Sequence, residues 1–217
     1  MSILVFVLIA LGAYFSGGLN GAIITSRLVY GDDIRQHGSG NAGLTNFQRT
    51  YGGQAIFLLV LIDVVKTAAP VILGGMVLES MLDFGTVADR VIIGRTFAGL
   101  FAMIGHSYPC LYGFRGGKGI LSGGTMVLFL NGYAFLILLA VFLLAVILTR
   151  YVSLGSVLAG LALPISFIVL GMNFWATLLA LLCGAFVIYR HRENIGRLLT
   201  GQERKLSFGK KREERPS

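Results

Sequence analysis

Seven apolar blocks, at 3–27, 53–78, 88–108, 118–132, 133–149, 154–171 and 173–190, constrain this chain more than any other feature. A helix needs about 20 predominantly apolar residues to cross the hydrocarbon core of a bilayer. In that solvent each backbone N–H and C=O must be satisfied inside the protein, so blocks of this length read as helices. The 217 residues are 55% apolar and only 13% charged, where a soluble domain carries about 25% charge. Disorder, a disulfide-stapled secreted domain and a soluble nucleic-acid binder are excluded. The chain is expected to be an all-α integral membrane protein, a seven-transmembrane-helix bundle. Residues 1–205 read as one domain and 206–217 as a basic tail.

Asn131-Gly132 leaves two readings open for 118–149, one long tilted helix or two short ones. No basic stretch precedes the first block, so it reads as a retained span and not as a signal peptide. Two cysteines, Cys110 and Cys183, have no CxxC spacing and suggest neither a disulfide framework nor a metal site.

Charge sets the expected orientation. With seven spans and the tail inside, fifteen of the 18 basic residues fall on the inner side. Arg90 and Arg95 lie near the opposite face with Glu79, Asp83 and Asp89, and Lys66 sits within a span. The positive-inside rule then puts the N-terminus outside and the tail in the cytoplasm. The net charge of +8 is accounted for in this way, without nucleic acid as a partner.

Polar chemistry collects in three segments, all on the inner side in this topology. They are His37–Arg49 (HGSGNAGLTNFQR), Gly105–Gly119 (GHSYPCLYGFRGGKG) and Arg190–Leu198 (RHRENIGRL), with Glu203 and Lys205 following. Together they supply backbone N–H groups, hydroxyls, amides, arginines and a lysine, the groups a phosphate or phosphate ester needs. Gly38–Gly43 matches GxGxxG literally, but a transmembrane block precedes it where a dinucleotide fold needs a strand. Gly117-Lys118 lacks the first glycine and the Ser/Thr of a P-loop. What remains is Gly116-Gly117-Lys118-Gly119 opening a helix, where free N–H groups and the dipole attract an anion; a flexible loop with a snorkelling lysine is the equal alternative.

The histidines are too scattered for a metal site. His106, beside Pro109, reads as a structural residue, while His191 and Asn194 share a helix face at i, i+3. Asp63 and Lys66 lie mid-span at the same spacing, which reads first as a pair within the bundle, with an ion relay as the sharper alternative. Ser153 and Ser156 would cap the helix after Arg150 and could help hold a phosphate.

At these residues the sequence resembles the PlsY family, bacterial membrane glycerol-3-phosphate acyltransferases that use acyl phosphate. GSGNxGxTNxxR is matched by Gly38 to Arg49, GHxxPxxxxFxGGKG by Gly105 to Gly119, and HxxNIxRL by His191 to Leu198. DxxKGxxP is matched in part by Asp63, Lys66 and Pro70, with Thr67 replacing the glycine. The resemblance implies a seven-helix enzyme of the bacterial inner membrane with its active site facing the cytoplasm. It would transfer an acyl group from acyl phosphate to the 1-hydroxyl of glycerol 3-phosphate, giving lysophosphatidic acid and inorganic phosphate. It implies no cofactor or metal, and contact with a soluble enzyme that produces acyl phosphate. Ser39, Arg49, Lys118, His191 and Asn194 are the implied catalytic set. Gly38, Gly40, Asn41, Thr45, Asn46, Gly116, Gly117, Gly119, Ser153 and Ser156 are the implied phosphate-binding set, Ser153 ahead of Ser156.

The residues agree with that chemistry. No Ser-His-Asp or Cys-His set is evident, and the His-plus-five Asp pair of many glycerolipid acyltransferases is absent: Ala42, Leu111 and Gly196 stand there. Direct transfer without an acyl-enzyme follows, with either His191 or a donor phosphate oxygen as base. A small transporter for an organic anion is the rival reading. It would place its polar groups near the midplane of repeated halves, and no repeat is visible here.

Overall fold

The computed structural model describes residues 2–206. Of the tail expected at 206–217, all but Leu206 lies outside the described residues. All regular structure among the described residues is helical. The helices are α1 (Ser2–Gly17), α2 (Gly21–Tyr30), α3 (Leu44–Tyr51), α4 (Ile56–Met81), α5 (Val87–Ser107), α6 (Ile120–Leu130), α7 (Gly132–Thr149), α8 (Val152–Val169), α9 (Phe174–Arg190) and α10 (Arg192–Leu199).

Length and composition give fewer spans than the seven expected. Ile3–Tyr30, Ile56–Met81, Gly132–Thr149 and Val152–Val169 are long and apolar enough to cross, and α9 with α10, bent by 57°, makes a fifth. In α5, 21 residues long, Arg90, Arg95 and His106 dilute the hydropathy. α6 has 11 residues, about 16 Å of helix against about 30 Å of hydrocarbon.

Two apolar blocks are broken, each by an asparagine. Asn20 ends the first: its Oδ1 accepts from Ile23 N at 3.1 Å and caps α2. Asn131 does the same between α6 and α7, accepting from Tyr133 N at 2.9 Å and Ala134 N at 3.0 Å. The segment 118–149 is therefore two helices, not one long one.

α4 and α5 form the central pair, crossing at Gly74 and Gly94, where a side chain on Gly94 would land on the Gly74 carbonyl. α1 packs on both, α6 fills the groove beside them, and α7, α8 and α9 follow as neighbours in chain order. Met103, Met126, Leu163 and Phe167 are buried between these layers. Ile3, Leu144, Ile147 and Trp175 remain exposed on the outer faces, as lipid-facing residues of a bundle are expected to be. At one end, Thr86 and Asp89 form a capping box on α5, and Asp89 accepts from Asn173 at 2.9 Å, tying α5 to α9. The opposite end carries the polar loops.

Candidate active site

The floor of that polar end is a buried ion pair. Asp63 and Lys66, one turn apart on α4, meet at 2.7 Å and are 1% and 4% exposed. A lone charge there would cost several kcal/mol; the pair is further satisfied by Gly21 N, which donates to Asp63 Oδ1 at 2.9 Å, and by His106 Nδ1, 2.8 Å from Lys66 Nζ. The i, i+3 spacing thus marks an intrabundle pair, and His106 is its third member. Asn20 sits above it, fully buried, its amide donating to the Ala42 carbonyl at 3.2 Å and the His106 carbonyl at 3.5 Å. These contacts hold the first two polar segments against one another.

The first segment folds around Asn46. Its amide donates to the carbonyls of His37 (2.9 Å), Asn41 (3.1 Å) and Ile34 (3.3 Å), and its Oδ1 accepts from Ser39 N at 3.0 Å. Gly38, at φ +60°, is pressed so close that a Cβ would strike that oxygen. Gly40 N is likewise taken, by the His37 carbonyl at 2.9 Å. Asn46 thus organises the loop, with both amide hydrogens spent on its carbonyls. Ser39 is left exposed, Asn41 and Thr45 half-buried. Arg49 points from α3 toward the chain's last described residues, its Nη2 donating to the Arg204 carbonyl at 3.4 Å.

The second segment corrects a further expectation. Gly116 N donates to the Ser107 carbonyl at 3.1 Å and Gly117 N to the His106 carbonyl at 3.2 Å. Those two N–H groups complete the end of α5 and are not free for an anion. Gly117 is a glycine because a Cβ would collide with His106 Nε2 and approach the Ala42 carbonyl to 2.7 Å. Gly119, at φ +83°, turns the chain into α6, which starts without a side-chain cap. Arg190 stacks 4.5 Å over the Tyr108 ring and donates to the Gly117 carbonyl at 3.0 Å, pinning the loop to the end of α9.

Lys118 leaves this loop and reaches the Asn194 Oδ1. Asn194 Nδ2 donates to Glu203 Oε1 at 2.7 Å, and Arg197 Nε to Glu203 Oε2 at 2.8 Å. Ser153 lies beside the same carboxylate without closing a full hydrogen bond, and Arg49 lies near enough to feel its charge. Burial opposes charge on Glu203, but the hydrogen bonds from Asn194 and Arg197, with the Ser153 hydroxyl beside them, outweigh it and hold the carboxyl below its usual range. Burial takes Lys118 down to about 8, with Arg197 repelling it as well. Desolvation also lowers Arg49. His191, 3% exposed at the α9–α10 elbow, places Nδ1 2.8 Å from the Val187 carbonyl. A carbonyl can only accept, so the proton is on Nδ1 and Nε2 keeps a lone pair.

Arg49, Lys118, Asn194 and Ser153 therefore converge on one place, around a carboxylate. Ser156 does not join them; its hydroxyl donates back to the Val152 carbonyl at 2.9 Å. Among the described residues, the Ser39 and Thr45 hydroxyls make no hydrogen bond. Asn20, Arg190, Arg197 and Glu203 were not singled out from sequence as site residues. Asn20 had a signal, an amide in the glycine-rich stretch Gly17-Gly18-Leu19-Asn20-Gly21 inside an apolar block. No cluster of three or more metal-ligating side chains occurs among the described residues.

Fold and site define a class, an all-helical integral membrane protein with a glycine-lined cationic cluster at one end of its bundle. The glycerol-3-phosphate acyltransferase family profile matches residues 7–201. A glycerol-3-phosphate acyltransferase of Finegoldia magna is 39% identical over 207 residues, covering 95% of this chain and 98% of the relative. The crystal structure of PlsY (YgiH), an integral membrane glycerol 3-phosphate acyltransferase, in its glycerol 3-phosphate form superposes with a TM-score of 0.80 at 33% identity, covering 93% of this chain and 96% of that one. Its lysophosphatidic acid form gives 0.78 at 31% identity, covering 93% and 95%. The chain belongs to the PlsY family of glycerol-3-phosphate acyltransferases.

Proposed function

We propose that this protein transfers an acyl group from acyl phosphate to the 1-hydroxyl of glycerol 3-phosphate, releasing lysophosphatidic acid and inorganic phosphate at the cytoplasmic face of a bacterial inner membrane. The observation that carries this reading is the Glu203 carboxylate held by Asn194 and Arg197, with Lys118, Ser153 and Arg49 around it. It marks a place where cations and donors from α3, α6's leading loop, α8 and α10 already surround an anion. A substrate phosphate brings more charge and more acceptor oxygens than a carboxylate to the same groups.

Acyl phosphate arrives activated, so the task is to orient the hydroxyl and stabilise the leaving group. Orientation alone can supply about 7–11 kcal/mol, and preorganised cations add to it as charge develops. The glycerol 1-hydroxyl oxygen attacks the acyl carbonyl, the C–O bond to phosphate breaks, and the hydroxyl proton ends on the departing phosphate. His191 Nε2 accepts a hydrogen bond from the glycerol and holds it, with the donor phosphate as base. Lys118 and Arg49 neutralise the phosphate of glycerol 3-phosphate, and Ser153 donates to it. Asn46 and the glycines at 38, 40, 116, 117 and 119 shape the loops. A seven-span arrangement, in which Ile3–Tyr30, α4, α5, α7, α8 and α9 cross and the short α6 crosses only together with its flanking residues, would put the N-terminus outside and the site inside. A soluble enzyme producing acyl phosphate would deliver the donor to this face.

Purified protein with acyl phosphate and glycerol 3-phosphate should release phosphate in step with lysophosphatidic acid. Release without glycerol 3-phosphate, or none with it, contradicts the reading.

A further inference from the structure

The most heavily buried charges among the described residues have no part in the transfer just described, yet they lie directly beneath it. We infer that Asp63, Lys66 and His106 form a positioning network that sets the register of the loop 116–119, and through it the place of Lys118. This rests on the proposed use of glycerol 3-phosphate as acceptor.

The chain of contacts is continuous. Gly21 N holds Asp63 at 2.9 Å, and Asp63 holds Lys66 at 2.7 Å. The Lys66 ammonium can only donate, so its 2.8 Å contact makes His106 Nδ1 an acceptor and leaves the ring proton on Nε2. That edge of the ring is the surface on which Gly117 lies, so close that no Cβ fits between them. Gly117 and Gly116 are also tied by their N–H groups to the His106 and Ser107 carbonyls. Lys118 is the next residue. On the other side of Gly117 stands the Ala42 carbonyl, held by Asn20, so the same network fixes the second polar loop against the first. Stability alone would favour apolar residues here, because a buried ion pair is often no more stabilising than well-packed apolar residues of similar volume. A ring held in one tautomer and one plane is the gain the network brings.

Two variants separate positioning from bulk stability. His106→Asn keeps an acceptor for Lys66 near the Nδ1 position but withdraws the ring edge from Gly117. Asp63→Asn with Lys66→Met removes both charges together and strands neither. In each, the KM for glycerol 3-phosphate should rise about tenfold or more, while kcat and the KM for acyl phosphate stay within about threefold. Folded variants with parental constants, or with both KM values raised alike, would overturn the inference. If neither variant folds, the unaltered protein decides. With 15N-labelled histidine at neutral pH, His106 should show the Nε2–H tautomer, and the opposite tautomer or a charged ring refutes the network as drawn. Parental protein that fails to use glycerol 3-phosphate at all would instead strike the proposed function and leave this tautomer test standing.

Discussion

Burial takes Lys118 out of most of its water, and its ammonium loses its proton near pH 8 instead of above 10. In the free enzyme the charge is present below that point and lost above it. Because kcat/KM reports the free enzyme, it should fall on the alkaline side with a midpoint near 8. The second ionisation of a phosphate ester, near 6, is too low to produce that limb. Lys118→Arg keeps the charge, so its profile should stay level to beyond pH 10; a limb unmoved in that variant assigns it elsewhere. Lys118→Ala and Arg49→Ala each remove a charge-assisted contact of about 1.5–3 kcal/mol. Initial rates at limiting substrate should drop roughly ten- to a hundredfold with the fold intact. The two serines should part company: Ser153→Ala lowers activity, whereas Ser156→Ala, whose hydroxyl is spent on Val152, stays within about threefold. Sequence put both serines near the start of α8, where, against expectation, neither caps it, and only the resemblance set Ser153 ahead, because which hydroxyl is spent depends on a helix carbonyl and a carboxylate fifty residues away.

Among the elements, the apolar blocks were legible because each helix buries or exposes its side chains to one apolar solvent, and block limits fall within a few residues of α4, α5, α7, α8 and α9. The break at Gly18–Asn20 was hidden, since a hydropathy window averages one glycine and one asparagine away. The glycine loops were half legible. Their need for glycine was plain, but its reason is steric, the His106 ring and the Asn46 amide, more than the supply of free N–H groups. Only the fold shows that Ser107 and His106 carbonyls arrive to claim them. Asn20 is the joint between these elements and can be tested as such. Asn20→Ala loses a cap of about 1 kcal/mol and leaves the Ala42 carbonyl unpaired, a further 1–3 kcal/mol by about the same token. Thermal unfolding should shift down by several degrees. Asn20→Ser, which can keep the cap without adding a buried charge and loses the amide donor, should fall between Asn20→Ala and the parent.

For the molecule as a whole, all three polar segments end on one side of the bundle, and that shared side is what makes a site possible. The positive-inside reading assigns it to the cytoplasm. Single cysteines at Asp32 and Gly85 report the two faces: in intact cells an impermeant thiol reagent should modify the second and spare the first. Modification at Asp32 would invert the protein. Family and helical class were open to a sequence reader because three motifs stand in order, whereas the count of seven crossings rests on how α5 and α6, one polar and one short, lie in the bilayer.

The donor is the centre of the account. A coenzyme A thioester needs a docking surface for its nucleotide outside the membrane, and the loops here close over a compact cluster of Lys118, Asn194, Arg197 and Glu203. Rates of lysophosphatidic acid formation should be compared for acyl phosphate and acyl-CoA of one chain length, at matched concentration, with purified protein and saturating glycerol 3-phosphate. The account predicts rapid transfer from acyl phosphate with equimolar phosphate release, and almost none from the thioester. Equal rates from the two donors would contradict it.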